Sequence, residues 1–214
     1  MRITKADVWS FVHTERRRLA DDLSSLPAQA WNTPSLCPGW DVHDVLAHLV
    51  DSAKTTRLGF ARRMIHARFD FDADNAAGIS RERCVDPQDT VASLRAAAPL
   101  TLTPVAPLPT RLVEAIVHGQ DIRRPLGITA AYAPDAVADA LAYQVRASVA
   151  MGGGRERVDG IRLVAMDSAF ASGTGEVVCG RTVDLLLAVS GRSVDAGAFD
   201  GPGTSRLIQT GRGM

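Results

Sequence analysis

The sequence lacks the features that mark secreted, membrane-spanning or disulfide-stabilised proteins. Its 214 residues include only three cysteines, Cys37, Cys84 and Cys179, which are widely spaced and form no CxxC pair. There is no secretory segment at the N-terminus, and no apolar run approaches the roughly 18 residues that a membrane-spanning helix needs. We therefore expect a soluble chain in a reducing cytoplasm, without structural disulfides and without a membrane partner.

The sequence also lacks an excess of charge of either sign. Twenty-four Lys and Arg residues balance 24 Asp and Glu residues, and the short basic runs at 16–18 and 62–63 are typical of solvent-exposed helix faces. A nucleic-acid partner is therefore not expected, because such partners select for a basic surface. With 46% hydrophobic and 22% charged residues, the chain has the composition of an ordinary globular protein.

Apolar residues recur at helical spacing over the first 150 residues. The predicted helices cover 4–26, then 41 to about 64–66, a third from the Asp86 cap and Pro87, a fourth from the Thr110 cap to Pro125, and a fifth from Pro134 to about Met151. The acidic, irregular segment 70–86 is interpreted as a loop. These elements predict an antiparallel helical bundle.

The pattern changes after the glycine-rich segment 152–160. Strands are predicted at 161–167 and 176–180, on either side of a Gly-Thr-Gly turn, and a final helix at 181–191. The glycine-rich tail beyond Arg192 is expected to be partly mobile. We therefore predict two domains, a helical bundle over 1–151 and a small α/β domain over 152–214, with functional side chains facing each other inside the bundle.

One stretch of the fourth helix, EAIVHGQDIRRPLG, carries Glu114, His118 and Asp121 at steps of four and three. On a helix these three side chains share one face. They could form an ordinary solvent-exposed face, because apolar residues occupy the opposite side. They could equally contribute to a metal site, because side chains four residues apart can reach one ion. The spacing alone does not decide between the two.

His48, on the second helix, is the candidate third ligand, since catalytic zinc normally has three protein ligands and an open position. Asp44 and Asp51 lie one turn to either side and are possible hydrogen-bond acceptors for its ring. A single histidine on a helix is more often structural. Local spacing therefore leaves its role open as well.

Two segments decide the interpretation: PSLCPGWDVHDVLAHLVDS (34–52) and RLVEAIVHGQDIRRPLG (111–127). Together they resemble the mycothiol-dependent maleylpyruvate isomerase family, and 162–192 resembles the second domain of that family. The resemblance implies a mainly α protein, with a DinB-like four-helix bundle followed by a small α/β domain. It also implies a divalent metal ion, most often zinc, held by His48, Glu114 and His118.

The same resemblance implies an enzyme that uses mycothiol, a low-molecular-weight thiol, against a small electrophilic substrate. A metal-bound thiol is deprotonated at neutral pH, so the thiolate would attack the electrophile in an S-transferase or cis-trans isomerase reaction. Asp121 is implied to lie beside the metal or the substrate. Arg111 is a candidate for binding a substrate carboxylate, as are Arg181 and Arg192.

Some alternatives stay open at this point. The chain could be a non-catalytic DinB-like module that binds metal or serves in a stress response, or a metal-free helical interaction protein. It departs from many relatives at Gln120, where they have an aromatic residue, and at 167–171, which leaves the substrate undefined. A monomer and a homodimer are both possible. Cys37, Trp31 and Trp40 are expected to serve packing.

Overall fold

In a computed structural model, residues 3–211 are described, and they belong to two compact units that divide between Ala130 and Ala131. The first unit is helical. Its helices are α1 (Lys5–Leu23), α2 (Val42–Lys54), α3 (Arg57–His66), α4 (Phe71–Glu82), α5 (Pro87–Ala97) and α6 (Thr110–Arg123). Within residues 3–211, no helix combines the length and apolar character needed to cross a membrane.

Four of these helices form a bundle. Helix α1 packs against α5 and α6, and α2 packs against the same two helices. The buried core between them includes Leu23, Leu46, Leu94 and Ile122, which lie on the apolar stripes seen in the sequence. The mainly α fold with a small α/β part at the C-terminus is therefore confirmed.

The prediction for the second helix is wrong at its C-terminal end, because α2 ends at Lys54. The hydroxyl of Thr55 donates to the carbonyl of Asp51, and the Thr56 side chain caps the new helix α3 by accepting from Gly59 N. Hydroxyl side chains that bond to nearby backbone compete with helix continuation. The Thr-Thr pair thus divides one apolar pattern into two helices.

The prediction of a loop over 70–86 is also wrong, since α4 covers Phe71–Glu82. Asp70 caps this helix through Ala73 N, and the buried residues of α4 are Asp74, Gly78 and Ile79. At Gly78 a Cβ atom would lie 2.7 Å from Oδ2 of Asp51, so the glycine permits a close approach to α2. A helix held by ion pairs and a small residue carries little apolar periodicity.

The second unit contains three α-helices and four strands among its described residues. These are α7 (Pro134–Gln144), β1 (Ile161–Ala165), β2 (Ala171–Ser172), β3 (Glu176–Gly180), α8 (Thr182–Val189), β4 (Phe199–Asp200) and α9 (Thr204–Gly211). The sheet order is β2-β1-β3-β4, with β1 and β3 parallel. Gly191 ends α8 at φ 79°, as its predicted position after the helix requires.

Two further expectations need correction here. The fifth predicted helix ends at Gln144 rather than near Met151, and it packs against α8 in the second unit. The tail beyond Arg192 is expected from its sequence to be partly mobile, but its described part, 193–211, contains β4 and α9, and Leu207 of α9 is fully buried; 212–214 lie outside the described residues. The domain boundary at 151 stays a prediction about independently folding parts.

Candidate metal centre

Helix α2 carries two of the side chains of the candidate centre. Its start is fixed by a reciprocal cap in which Asp41 accepts from Asp44 N and Asp44 accepts from Asp41 N. From that start, His48 and Ser52 fall one turn apart on the same face. They lie at one edge of the apolar stripe of α2, whose members Val45 and Leu49 are buried in the core.

Helix α6 carries the triplet found in the sequence. Leu112 and Ile116 on its other side are fully buried, while Asp121 is also completely buried and Glu114 and His118 are half-buried. A solvent-exposed face would leave all three carboxylate and imidazole groups in water. The interpretation of this triplet as an ordinary exposed face is therefore wrong.

The two histidines come together across the packed helices. Their ring centroids are 4.8 Å apart, with the planes at 74°. Trp40 covers them, with its ring 5.1 Å from His48 and 6.5 Å from His118. The loop before α2 holds Trp40 there, because Leu36 N donates to the carbonyl of Asp121 and Pro34 pairs with Asp41.

His118 is oriented by Asp121. Nδ1 of His118 lies 2.9 Å from Oδ2 of Asp121, three residues further along α6. A carboxylate accepts hydrogen bonds, so Nδ1 carries a hydrogen, and Nε2 is the nitrogen that faces away from Asp121. A carboxylate behind a histidine in this way is the usual partner of metal-binding imidazoles.

Glu114 is held on one oxygen. The Ser52 hydroxyl donates to Oε2 at 2.5 Å, and Nη1 of Arg111 lies 3.0 Å from the same oxygen. Nη1 of Arg111 also donates to the Ser52 hydroxyl at 3.0 Å. Arg111 is thus tied to Glu114 and Ser52 rather than extended toward solvent.

Burial and neighbouring charge set the ionisation of the centre. Burial, together with the nearby His118, lowers the pKa of His48 to about 4, so its ring is neutral at pH 7. Burial would raise the pKa of Glu114, but the charge of Arg111, the electrostatic interaction with the His48 ring and the hydrogen bond from Ser52 outweigh it and lower that pKa. A neutral imidazole and an ionised carboxylate are the forms that bind metals.

The imidazoles of His48 and His118 and the carboxylate of Glu114 are ligand types that suit a first-row divalent ion. Two imidazoles on one cation at about 2.0–2.1 Å place their ring centres about 5 Å apart, which matches the separation of His48 and His118. Among residues 3–211, however, no three His, Cys, Asp or Glu side chains form a group that could hold a metal ion as they stand. The histidines are together, and the placement of Glu114 decides whether the site is complete.

Several predicted neighbours of the centre have other partners. Asp44 and Asp51, considered as acceptors for the His48 ring, instead receive hydrogen bonds from Arg83 and from Arg63 and Arg81. In the second unit, Arg192 donates to a backbone carbonyl, and the largely exposed Arg181 lies 3.8 Å from Asp167.

Sequence reasoning missed two residues of the centre. Ser52 was not singled out, although its position four residues after His48 on the same helix face was a usable signal. Trp40 was assigned to packing alone. It does pack against the core, but it also covers both histidine rings.

Comparison with known proteins agrees with this architecture. Residues 12–123 match the family model described as the mycothiol maleylpyruvate isomerase N-terminal domain. No curated protein matches the chain. Two crystal structures of the mycothiol-dependent maleylpyruvate isomerase have the same fold, one of them a variant with a histidine replaced by alanine. They show 16% and 17% identity and TM-scores of 0.62 and 0.59, and each match covers 94% of both chains. The family match spans more than half of the sequence, and the chain therefore belongs to the mycothiol maleylpyruvate isomerase N-terminal domain family.

Proposed function

We propose that this protein is a metal-dependent enzyme that uses mycothiol to isomerise a small cis-unsaturated acid. The observation that carries the proposal is the meeting of the His48 and His118 rings, 4.8 Å apart, beside the ionised Glu114. Family membership supports an enzyme of isomerase type, because the family is named for that activity.

In this proposal His48, His118 through Nε2, and Glu114 through Oε1 hold the ion. Both contacts to the Glu114 carboxylate fall on Oε2, which leaves Oε1 for the ion. Zinc is the favoured metal, although imidazole and carboxylate ligands accept several first-row ions. A bound ion would supply Lewis acidity, which would lower the pKa of a thiol in the same site.

The surrounding residues bind, orient and exclude water. Asp121 keeps the hydrogen on Nδ1 of His118 and fixes the direction of Nε2. Trp40 lies over both rings and shields one side of the centre from solvent. The thiol supplies a reversible nucleophile: its addition to a cis double bond allows rotation, and its departure returns the trans isomer and the free thiol.

The substrate is proposed from the family name and the chemistry. Maleylpyruvate is the substrate named for the structural relatives, and it is the first compound to test. Gln120, buried and accepting from Arg124, stands where many relatives have an aromatic residue. A related cis-unsaturated acid is therefore the second compound to test.

Elemental analysis and a mycothiol-dependent assay test the proposal together. We expect about one zinc ion per chain, mycothiol binding that a chelator abolishes, and turnover of maleylpyruvate or its analogue with catalytic amounts of thiol. His48→Ala should lose the metal and the turnover, whereas His66→Ala, which changes an exposed histidine of α3, should retain both. Metal-loaded protein that ignores mycothiol in calorimetry would contradict the proposal.

The fate of the thiol separates the remaining possibilities. An isomerase returns the thiol after each turnover, whereas an S-transferase consumes one thiol per product. Stoichiometric thiol loss with epoxides or alkyl halides would assign the transferase reaction instead. The protein would be a non-catalytic module if it bound zinc but neither thiol nor electrophile. In that case His48→Ala should strongly lower the melting temperature.

A further inference from the structure

Ser52, Arg111 and Glu114 form a closed three-way contact between α2 and α6. The three distances are 2.5 Å from Ser52 Oγ to Glu114 Oε2, 3.0 Å from Arg111 Nη1 to the same oxygen, and 3.0 Å from Nη1 to Ser52 Oγ. Ser52 and Arg111 are buried, with Arg111 5% exposed. Groups in such a closed arrangement restrict one another's rotamers, because each is fixed by two partners.

The hydrogens in this arrangement have one consistent assignment. A guanidinium only donates, so Nη1 donates to both the Ser52 oxygen and the Glu114 carboxylate. The Ser52 hydroxyl therefore accepts from Arg111 and passes its own hydrogen to Oε2. Both donors meet the same carboxylate oxygen, and the second oxygen stays outside the closed contact.

The contacts of Arg111 are therefore with residues of the bundle itself. Nε of Arg111 is also directed to a protein oxygen, the hydroxyl of Thr110, at 3.3 Å. Turning the whole guanidinium toward a substrate carboxylate would break its buried ion pair with Glu114, which is strongly destabilising when one charge is left uncompensated. A role toward Glu114 fits the observed contacts better than a role toward substrate.

We infer that Ser52 and Arg111 are positioning residues that fix the Glu114 carboxylate by Oε2 and so present Oε1 beside His48 and His118 as the third metal ligand. This inference rests on the proposed function. Glutamate has a flexible side chain, and a metal ligand must be held close to its productive geometry. Ligating carboxylates are typically hydrogen-bonded on their free oxygen, and loss of such partners weakens metal binding roughly 10–100-fold.

The zinc dissociation constant of the full-length protein tests the role of Ser52. Competition with a chromophoric chelator should show that Ser52→Ala weakens binding about 10–100-fold, while Ser52→Thr, which keeps the hydroxyl, restores most of it. Ser190→Ala is the matched control, because Ser190 is a buried serine hydrogen-bonded to Gln144 in the other unit. It should leave zinc affinity unchanged.

Cobalt substitution provides a readout that a purely structural role would not move. Ser52→Ala and Arg111→Gln should each alter the d–d absorption bands of the Co²⁺ protein, because the position of the carboxylate ligand changes. The double variant should weaken zinc binding by less than the product of the two single effects, since both residues hold the same oxygen. Circular dichroism of the metal-free variants verifies that each is folded.

The outcomes separate this inference from the function on which it rests. If Glu114→Gln loses zinc but Ser52→Ala and Arg111→Gln bind it as tightly as the unchanged protein, or more tightly, the positioning role is overturned and the metal site stands. If the unchanged protein binds neither zinc nor cobalt, both ideas are overturned. Weaker binding with altered cobalt bands, and rescue by Ser52→Thr, supports both.

Discussion

Two polar clusters on neighbouring faces of α2 have different chemical consequences. The arginine cluster consists of Asp51, Arg63, Asp74 and Arg81, and the site cluster consists of His48, Ser52, Arg111, Glu114, His118 and Asp121. Asp51 and Ser52 are adjacent in sequence but enter different clusters, because successive helix positions point about 100° apart. One helix thus serves both packing and a candidate reaction centre.

The carboxylates of the two clusters differ in how fully they are used. Both oxygens of Asp51 receive hydrogen bonds, two from Arg63 and one from Arg81. Glu114 receives its hydrogen bond and its ion pair on Oε2 alone and interacts electrostatically with the two imidazoles. A carboxylate surrounded by arginines holds helices together, whereas a carboxylate with one oxygen left free of hydrogen bonds near two histidines is suited to bind an ion.

Replacing Glu114 should produce the largest difference in zinc affinity between variants of the site cluster and variants of the arginine cluster. We expect Glu114→Gln to weaken zinc binding more than about 100-fold, beyond the range for the partners of a ligand, because a ligand oxygen and its charge are lost. Isothermal titration of zinc into the metal-free protein measures this. Glu82→Gln, which breaks the surface pair with Lys54, is the control and should bind zinc normally.

Loss of the carboxylate behind His118 should have the next largest effect. Asp121→Asn removes the charge that Nδ1 of His118 faces, and we expect zinc affinity to fall about tenfold or somewhat more. The same chelator competition measures the change. An unchanged affinity would mean that Asp121, fully buried, serves the packing of α6 alone.

Sequence periodicity predicts the part of the site that lies on a single helix. Glu114, His118 and Asp121 lie on one helix, so their spacing alone predicts a shared face. The approach of His48 to His118 depends on the packing of α2 against α6, which no local spacing encodes. The resemblance to a family was needed to connect the two helices, and Ser52 was missed because its partner lies on the other helix.

The errors in the fold have a related cause. The sequence of α4 predicts a loop because the helix is held by Asp74 and Gly78, which contact Arg63 of α3 and Asp51 of α2 and follow no apolar period of their own. Helix α9 was missed because its single fully buried leucine, Leu207, lies in a glycine-rich tail. Tertiary contacts stabilise both helices beyond what their own apolar periodicity indicates.

The arginine cluster should respond in stability rather than in metal binding. Asp51→Asn removes the charge partner of Arg81 and one of the two charge partners of Arg63, which keeps Asp74. Since both arginines are partly solvated, we expect the free energy of unfolding to fall by about 2 kcal/mol. Thermal melting should fall by roughly 4–8 °C, with zinc affinity unchanged. Lys54→Met, which removes the exposed pair with Glu82 between α2 and α4, should lower the melting temperature much less.

The smallest expected effect concerns Asp41 at the start of α2. Burial would raise its pKa, but hydrogen bonds from Arg83 and from Asp44 N, with the charge of Arg83, hold the pKa below its ordinary value. The unfolded chain therefore binds the Asp41 proton more readily than the folded protein does. The stabilisation by the Asp41–Arg83 pair is complete above the ordinary pKa of aspartate, and it is lost as pH falls through the lowered pKa. Asp41→Asn retains a good helix cap, so at neutral pH it should cost about 1 kcal/mol or less. The difference in unfolding free energy between the two proteins should shrink on acidification. A difference that persists at low pH would mean that the contribution of Asp41 comes from the cap and not from its charge.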